Sequence, residues 1–63
     1  MDMEERICNA CLGLARMRGL HGFTVDELAS QAGISKRTIY RYFRSKDEII
    51  EAAVNRFLVE VAA

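Results

Sequence analysis

Two residues, Gly33 and Ile34, are all that separate the end of one helical pattern at Ala32 from a helix cap at Ser35. The helix before this break has a defined start. Thr24-Val25-Asp26-Glu27 has capping-box spacing, with Thr24 as the cap and Glu27 three residues on. Phe23 before the cap and Leu28 after it fit a hydrophobic staple. Val25, Leu28, Ala29 and Ala32 form its buried face. Gly33 ends it, because glycine enters the left-handed αL conformation without a Cβ clash. Two short helices joined by so short a turn, with Gly first and an apolar residue next, make a helix-turn-helix. The small side chains of Ala29 and Ala32 let the two helices approach closely.

The second of these helices carries a concentrated charge. From Gly33 to Lys46 there are five basic residues and no acidic one, in a chain whose formal net charge is zero. Drawn as a helix, Lys36 to Arg44 places Ile39 and Phe43 on one side. Arg37, Thr38 and Arg41 fall opposite, Arg44 lies at the edge of that face, and Tyr40 and Tyr42 lie on the flanks. Ser35 is a good N-cap. The next residues, Lys36 and Arg37, oppose the helix dipole at about 0.3–1 kcal/mol each. Elsewhere the chain obeys the dipole rule, with Asp26-Glu27 and Asp47-Glu48 at helix starts. Local rules tend to be broken where function requires it. A cationic first turn that meets an anion or a base edge is one explanation, and a solvated basic face is the other.

The first helix is expected from about Met3 to Arg18, with Asp2 and Glu5 at capping-box spacing. Ile7, Ala10, Cys11, Leu14 and Arg18 share one face, with Ala15 at its margin. The Arg18 stem is expected to lie along that face, its charge near the last carbonyls. Gly19 and Gly22 mark the exit, and His21 is an exposed loop residue. A last helix starts with the box Ser45-Lys46-Asp47-Glu48. Ile49, Ile50, Ala53, Val54, Phe57, Leu58 and Val61 give it an apolar arc wider than a three-helix core needs. Glu48, Glu51, Asn55 and Glu60 take its polar side. It reaches Ala63 without a cap, which reads as a helix that continues in a longer protein.

With 63 residues there is room for one small domain. The absence of Pro and the 51% hydrophobic content suit a helical domain rather than a disordered one. No run of 18 apolar residues suggests a membrane span. The acidic start resembles no signal peptide, so a cytoplasmic location is expected. Cys8 and Cys11 have C-x-x-C spacing, which suits a redox dithiol or half a zinc site. With His21 as the one histidine and no second cysteine pair, the better reading is two small apolar residues packed on a helix.

Thr24-Val25-Asp26-Glu27-Leu28-Ala29, Ala32-Gly33-Ile34-Ser35-Lys36, Thr38-Ile39-Tyr40-Arg41-Tyr42-Phe43 and Ser45-Lys46-Asp47 together resemble the N-terminal domain of TetR-family bacterial transcriptional regulators. The resemblance implies an all-α fold: a three-helix, homeodomain-like helix-turn-helix head over residues 1–46. Residues 47–63 then begin a fourth helix leading to a C-terminal ligand-binding and dimerisation domain. It also implies that the third helix enters the DNA major groove. Lys36, Arg37, Thr38 and Tyr40 stand at base-reading positions. Thr24, Tyr40, Tyr42 and Lys46 stand at phosphate positions. The basic face adds Arg41 as a further phosphate candidate. Where Arg37 stands the family often has Gly, so Arg37 is expected to add a base contact. Where Ala15 stands the family usually has Phe, so Met17 or Phe23 is expected to fill that part of the core.

The leading expectation is therefore sequence-specific binding of double-stranded DNA at palindromic half-sites by a regulator, most often a repressor. The full-length protein would be a homodimer with a small-molecule effector. A helix-turn-helix used for protein contact is the alternative, and it calls for an apolar outer face on the third helix. A small dithiol or metal enzyme is a third reading. No Ser/His/Asp set and no Gly-rich phosphate loop points to catalysis, and no cofactor is expected.

Overall fold

A computed structural model describes residues 2–62, and side chains through residue 59. It contains α1 (Met3–Arg18), α2 (Val25–Ala32), α3 (Lys36–Tyr42) and α4 (Lys46–Ala62). No strand occurs among the described residues, so the fold is all-α. The Glu60 and Val61 side chains, assigned above to the two sides of the last helix, lie outside the described set.

Each helix starts where a short side chain takes up a free amide of the first turn. Asp2 Oδ1 accepts from the Glu5 N–H at 2.7 Å, and Ser35 Oγ accepts from the Thr38 N–H at 3.1 Å. Ser45 Oγ accepts from the Glu48 N–H at 3.3 Å. At α2 the box is reciprocal. Thr24 Oγ1 accepts from the Glu27 N–H at 3.1 Å, and Glu27 Oε1 accepts from the Thr24 N–H at 2.9 Å. These caps matter because α2 and α3 have only 8 and 7 residues. Isolated helices below about 12–15 residues are marginal in water.

The α2 exit is a Schellman turn. Gly33 sits in αL at φ 72°, its N–H donates to the Ser30 carbonyl at 3.2 Å, and the Ile34 N–H donates to the Ala29 carbonyl at 3.0 Å. Ile34 follows the turn inward and packs on the core. The α1–α2 connection has a different constraint. A Cβ on Gly22 would lie 1.9 Å from the Arg18 carbonyl oxygen, so only glycine lets the chain pass there.

Helix α1 packs against both α2 and α4, while α3 leans on α2. Being flanked on two sides, α1 buries Cys8 as well as Ile7, Cys11 and Leu14. Ala10, expected on the buried face, is only half-buried. Phe23, Leu28, Ala29, Ile39, Phe43, Ile49, Ile50 and Ala53 complete the core. Phe23 is thus a core residue, whereas Met17 is 79% exposed. Beside Ala15 neither fills the space. An open apolar groove of about 280 Å³ remains there, lined by Leu12, Ala15, Leu20, Val54, Phe57 and the Arg16 stem.

Two further points differ from expectation. Helix α3 ends at Tyr42, not at Arg44. Phe43 turns extended, at φ −136° and ψ 140°, while its N–H still donates to the Ile39 carbonyl at 3.0 Å. The break sends the Phe43 ring into the core and leaves Arg44 in the bend before the Ser45 cap. A helix reaching Arg44 would leave no residue to turn the chain into that cap. The Arg18 charge, in turn, is not left to the α1 carbonyls alone. The residue is exposed, and its guanidinium pairs with the Glu27 carboxylate at the start of α2.

Candidate nucleic-acid interface

The candidate surface is built around α3. Ile39 is fully buried and fixes the rotation of this helix. Arg37 and Arg41 are consequently exposed, and among the described residues neither has a carboxylate partner. Tyr40 and Tyr42 are 47% and 44% exposed, so each phenol keeps a solvent-facing part. The outer face of α3 is therefore cationic and phenolic. An apolar outer face, which a protein-contact role would call for, is not what these residues form.

The other two residues of the first turn are already engaged. Thr38 Oγ1 lies 2.9 Å from Ser35 Oγ, within the cap. Lys36 Nζ lies 3.2 Å from Asp26 Oδ1, across the helix-turn-helix on the first turn of α2. Both partners are exposed, and such a pair is worth about 0.2–1 kcal/mol. That is the same size as the dipole cost of one cation at this helix start. The local rule that Lys36 breaks along the chain is thus partly repaired through space.

Thr24 is exposed at the start of α2. Its hydroxyl oxygen is used by the cap, and its proton remains for a further acceptor. Glu27 beside it is doubly held. The Thr24 N–H hydrogen bond is the largest influence on its carboxyl; burial opposes it, and with the Arg18 guanidinium and the Thr24 hydroxyl adding to the first, the net shift is downward. Lys46 opens α4 but reaches back to the α1–α2 loop. Its Nζ donates to the His21 carbonyl at 3.0 Å and stands 4.7 Å from the centre of the Phe23 ring. An ammonium has three donors, so this leaves N–H groups for an anion. His21 itself takes part through its backbone rather than its ring.

The fold thus gathers Thr24, Lys36 and Lys46 around the start of α2, although the chain spreads them over twenty-odd positions. Arg41 and Tyr42 follow on the last turn of α3. Two neighbours were not anticipated from sequence. One is Asp26, because no helical spacing links it to Lys36. The other is Arg6 of α1: a Cβ on Gly33 would lie 3.2 Å from its Nη2, so this guanidinium sits over the helix-turn-helix bend.

The cysteines are of the opposite character. Both are free and fully buried, and burial pushes the Cys8 thiol up and that of Cys11 up to about 11. Reactive thiols are exposed and shifted down. Among the described residues no group of three or more His, Cys, Asp or Glu side chains is placed to hold a metal ion. No helix among them is long and apolar enough to cross a membrane.

Residues 7–53 match the family model described as bacterial regulatory proteins, tetR family. The chain is 41% identical over 59 residues to the uncharacterized HTH-type transcriptional regulator YvaF of Bacillus subtilis, covering 94% of this chain and 30% of that protein. It is 36% identical over 55 residues to an uncharacterized HTH-type transcriptional regulator of Haemophilus influenzae, covering 87% of this chain and 29% of that one. It is 30% identical over 56 residues to the nucleoid occlusion factor SlmA of Haemophilus ducreyi, covering 87% and 28% respectively. The chain therefore spans about three-tenths of the length of these relatives. No solved structure matches it. The family and the first two of these relatives carry the names of regulators. With residues 7–53 matched by its model, the chain belongs to the tetR family of bacterial regulatory proteins.

Proposed function

We propose that residues 1–46 are the sequence-reading head of a ligand-responsive repressor, and that α3 lies in the major groove of its operator. Arg37 is the principal base reader, with Lys36, Thr38 and Tyr40 beside it. An arginine fork pairs bidentately with guanine O6 and N7. Thr24, Tyr40, Arg41, Tyr42 and Lys46 hold phosphates, which sets the register of the head without reading sequence. Residues 47–63 lead to a C-terminal part that dimerises and takes the effector, so that two heads meet palindromic half-sites in the cytoplasm, at the nucleoid. The relatives' greater length and the exposed apolar residues of α4 support that arrangement.

The observation that carries the reading is the free pair Arg37 and Arg41 on a helix whose opposite side is locked by Ile39. Site selection from random DNA tests it. Arg37→Ala should cost about 1–3 kcal/mol in binding and relax preference at one base pair per half-site. An unchanged preference would remove Arg37 from the reading set.

A further inference from the structure

The two carboxylates on the first turn of α2 stand beside a surface otherwise rich in cations, and each is paired to a different helix. Glu27 has both oxygens occupied, one by the Thr24 N–H and one by Arg18 of α1. It belongs to the scaffold. Asp26 caps nothing among the described hydrogen bonds. Its side chain is 76% exposed, and one contact defines it: Lys36 Nζ, at 3.2 Å. Among the described residues, Lys36 is the one of the exposed cations at 36, 37 and 41 that a carboxylate holds.

We propose that Asp26 is a specificity-determining positioning residue, which holds the Lys36 ammonium in place so that it reads base acceptors rather than attracting phosphates at large. The proposal rests on the reading of α3 as the groove-entering helix. The physical argument has two parts. A free lysine on a four-carbon stem is a mobile point charge that finds any phosphate, and fixing it costs rotamer entropy. Paired with Asp26 it is locally neutral and already placed, with donors left for an acceptor pair such as guanine O6 and N7. Generic attraction to DNA comes from cations that displace counterions, so a neutralised Lys36 drops out of that attraction. A carboxylate at this position also suits the α2 dipole, but that role bears on helix stability and not on how Lys36 meets DNA.

The experiment measures binding of the protein and its variants to the duplex enriched by selection and to a scrambled duplex, across a salt series. Asp26→Asn should tighten binding to scrambled DNA by up to about fivefold, the upper end expected for releasing one exposed ion pair. It should steepen the slope of log K against log salt there by up to about 0.9. Affinity for the enriched duplex should stay level or fall, so discrimination narrows. In a Lys36→Met background the same Asp26→Asn change should leave discrimination and slope unaltered. Equal tightening on both duplexes overturns the proposal, as does no tightening at all. So does a gain that persists without Lys36, since Asp26 would then act on phosphates directly. If selection enriches no sequence, or Lys36→Met alters binding to neither duplex, the reading of α3 fails and takes this proposal with it. If Lys36→Met weakens binding while Asp26→Asn changes nothing, only the proposal falls.

Discussion

Helices α3 and α4 each bury one stripe and expose another, and the exposed stripes have opposite chemistry. In α3 a single fully buried residue, Ile39, anchors a helix whose outward side chains are Lys36, Arg37, Arg41 and two half-exposed phenols. In α4 the first turns are anchored by Ile49, Ile50 and Ala53, and the apolar character then runs on past the core through Phe57, Leu58 and Val59, all exposed. Neither surplus stabilises this four-helix unit. Lys36 and Arg37 at the start of α3 oppose its dipole, and Phe57, Leu58 and Val59 of α4 are exposed. What differs is how each helix is held. α3 is held chiefly by Ile39, with Phe43 at its end and the Lys36–Asp26 pair beside it, whereas α4 depends on burial that fades along its length.

The largest test of that contrast lies within α4. Ile49→Ala removes a fully buried side chain and should cost about 2–5 kcal/mol. A small single core rarely supplies more than about 3–5 kcal/mol in total, so this variant should be largely unfolded. Phe57→Ala, only eight positions on, should cost less than about 1 kcal/mol. Urea denaturation followed by circular dichroism would read both. Similar losses at the two positions would mean that α4 is packed evenly and that the fading described here is wrong.

The turn that aims α3 comes next. Gly33→Ala forces a Cβ into αL at about 1–2 kcal/mol, with the added carbon 3.2 Å from Arg6 Nη2. The loss should appear in the same denaturation curves. If DNA binding falls by no more than the lost stability explains, the turn supports α3 without aiming it.

Lys46 belongs to both regimes, because it opens α4 and grips the loop before α2. Lys46→Met keeps most of the stem but loses the hydrogen bond to the His21 carbonyl and the charge over Phe23. The stability cost should be about 1 kcal/mol. If Lys46 also meets a phosphate, the magnitude of the salt slope should fall by about 0.9, equally on specific and random DNA. A stability loss with an unchanged slope would make Lys46 a clamp and nothing more.

The smallest effect is expected at Glu27. Its folded pKa lies below the unfolded value, so its contribution is present above the usual carboxylate range of about 4.3 and is lost as pH falls through the folded pKa. Denaturation midpoints measured on the acid side should therefore fall less steeply for Glu27→Gln than for the parent. Parallel acid limbs would show that the Arg18 and Thr24 contacts add nothing to stability.

Much of this molecule is legible in its sequence. The caps at Asp2, Thr24, Ser35 and Ser45 and the αL glycine at Gly33 rest on side-chain and backbone groups within a few residues of one another. Spacing alone encodes such contacts, since a helix start brings residues three apart together whatever surrounds it. The register of Ile39 and the cationic face opposite it follow from helical periodicity in the same way. The C-terminal end of α3 did not follow. Periodicity extended it to Arg44 because Phe43 is apolar at the right interval, whereas the ring reaches the core only after the backbone has left the helix.

The sequence by itself therefore determined which helices form, where they start and which face of each is apolar, because these depend on interactions of a few residues' range. Tertiary structure decided which charges meet. Arg18 with Glu27, Lys36 with Asp26, and Lys46 with a carbonyl twenty-five residues away depend on how four helices are oriented in space. No local pattern carries that orientation. It is set by burying Phe23, Leu28, Ile39 and Ile49 together, and the charged side chains take the partners which that packing brings within reach.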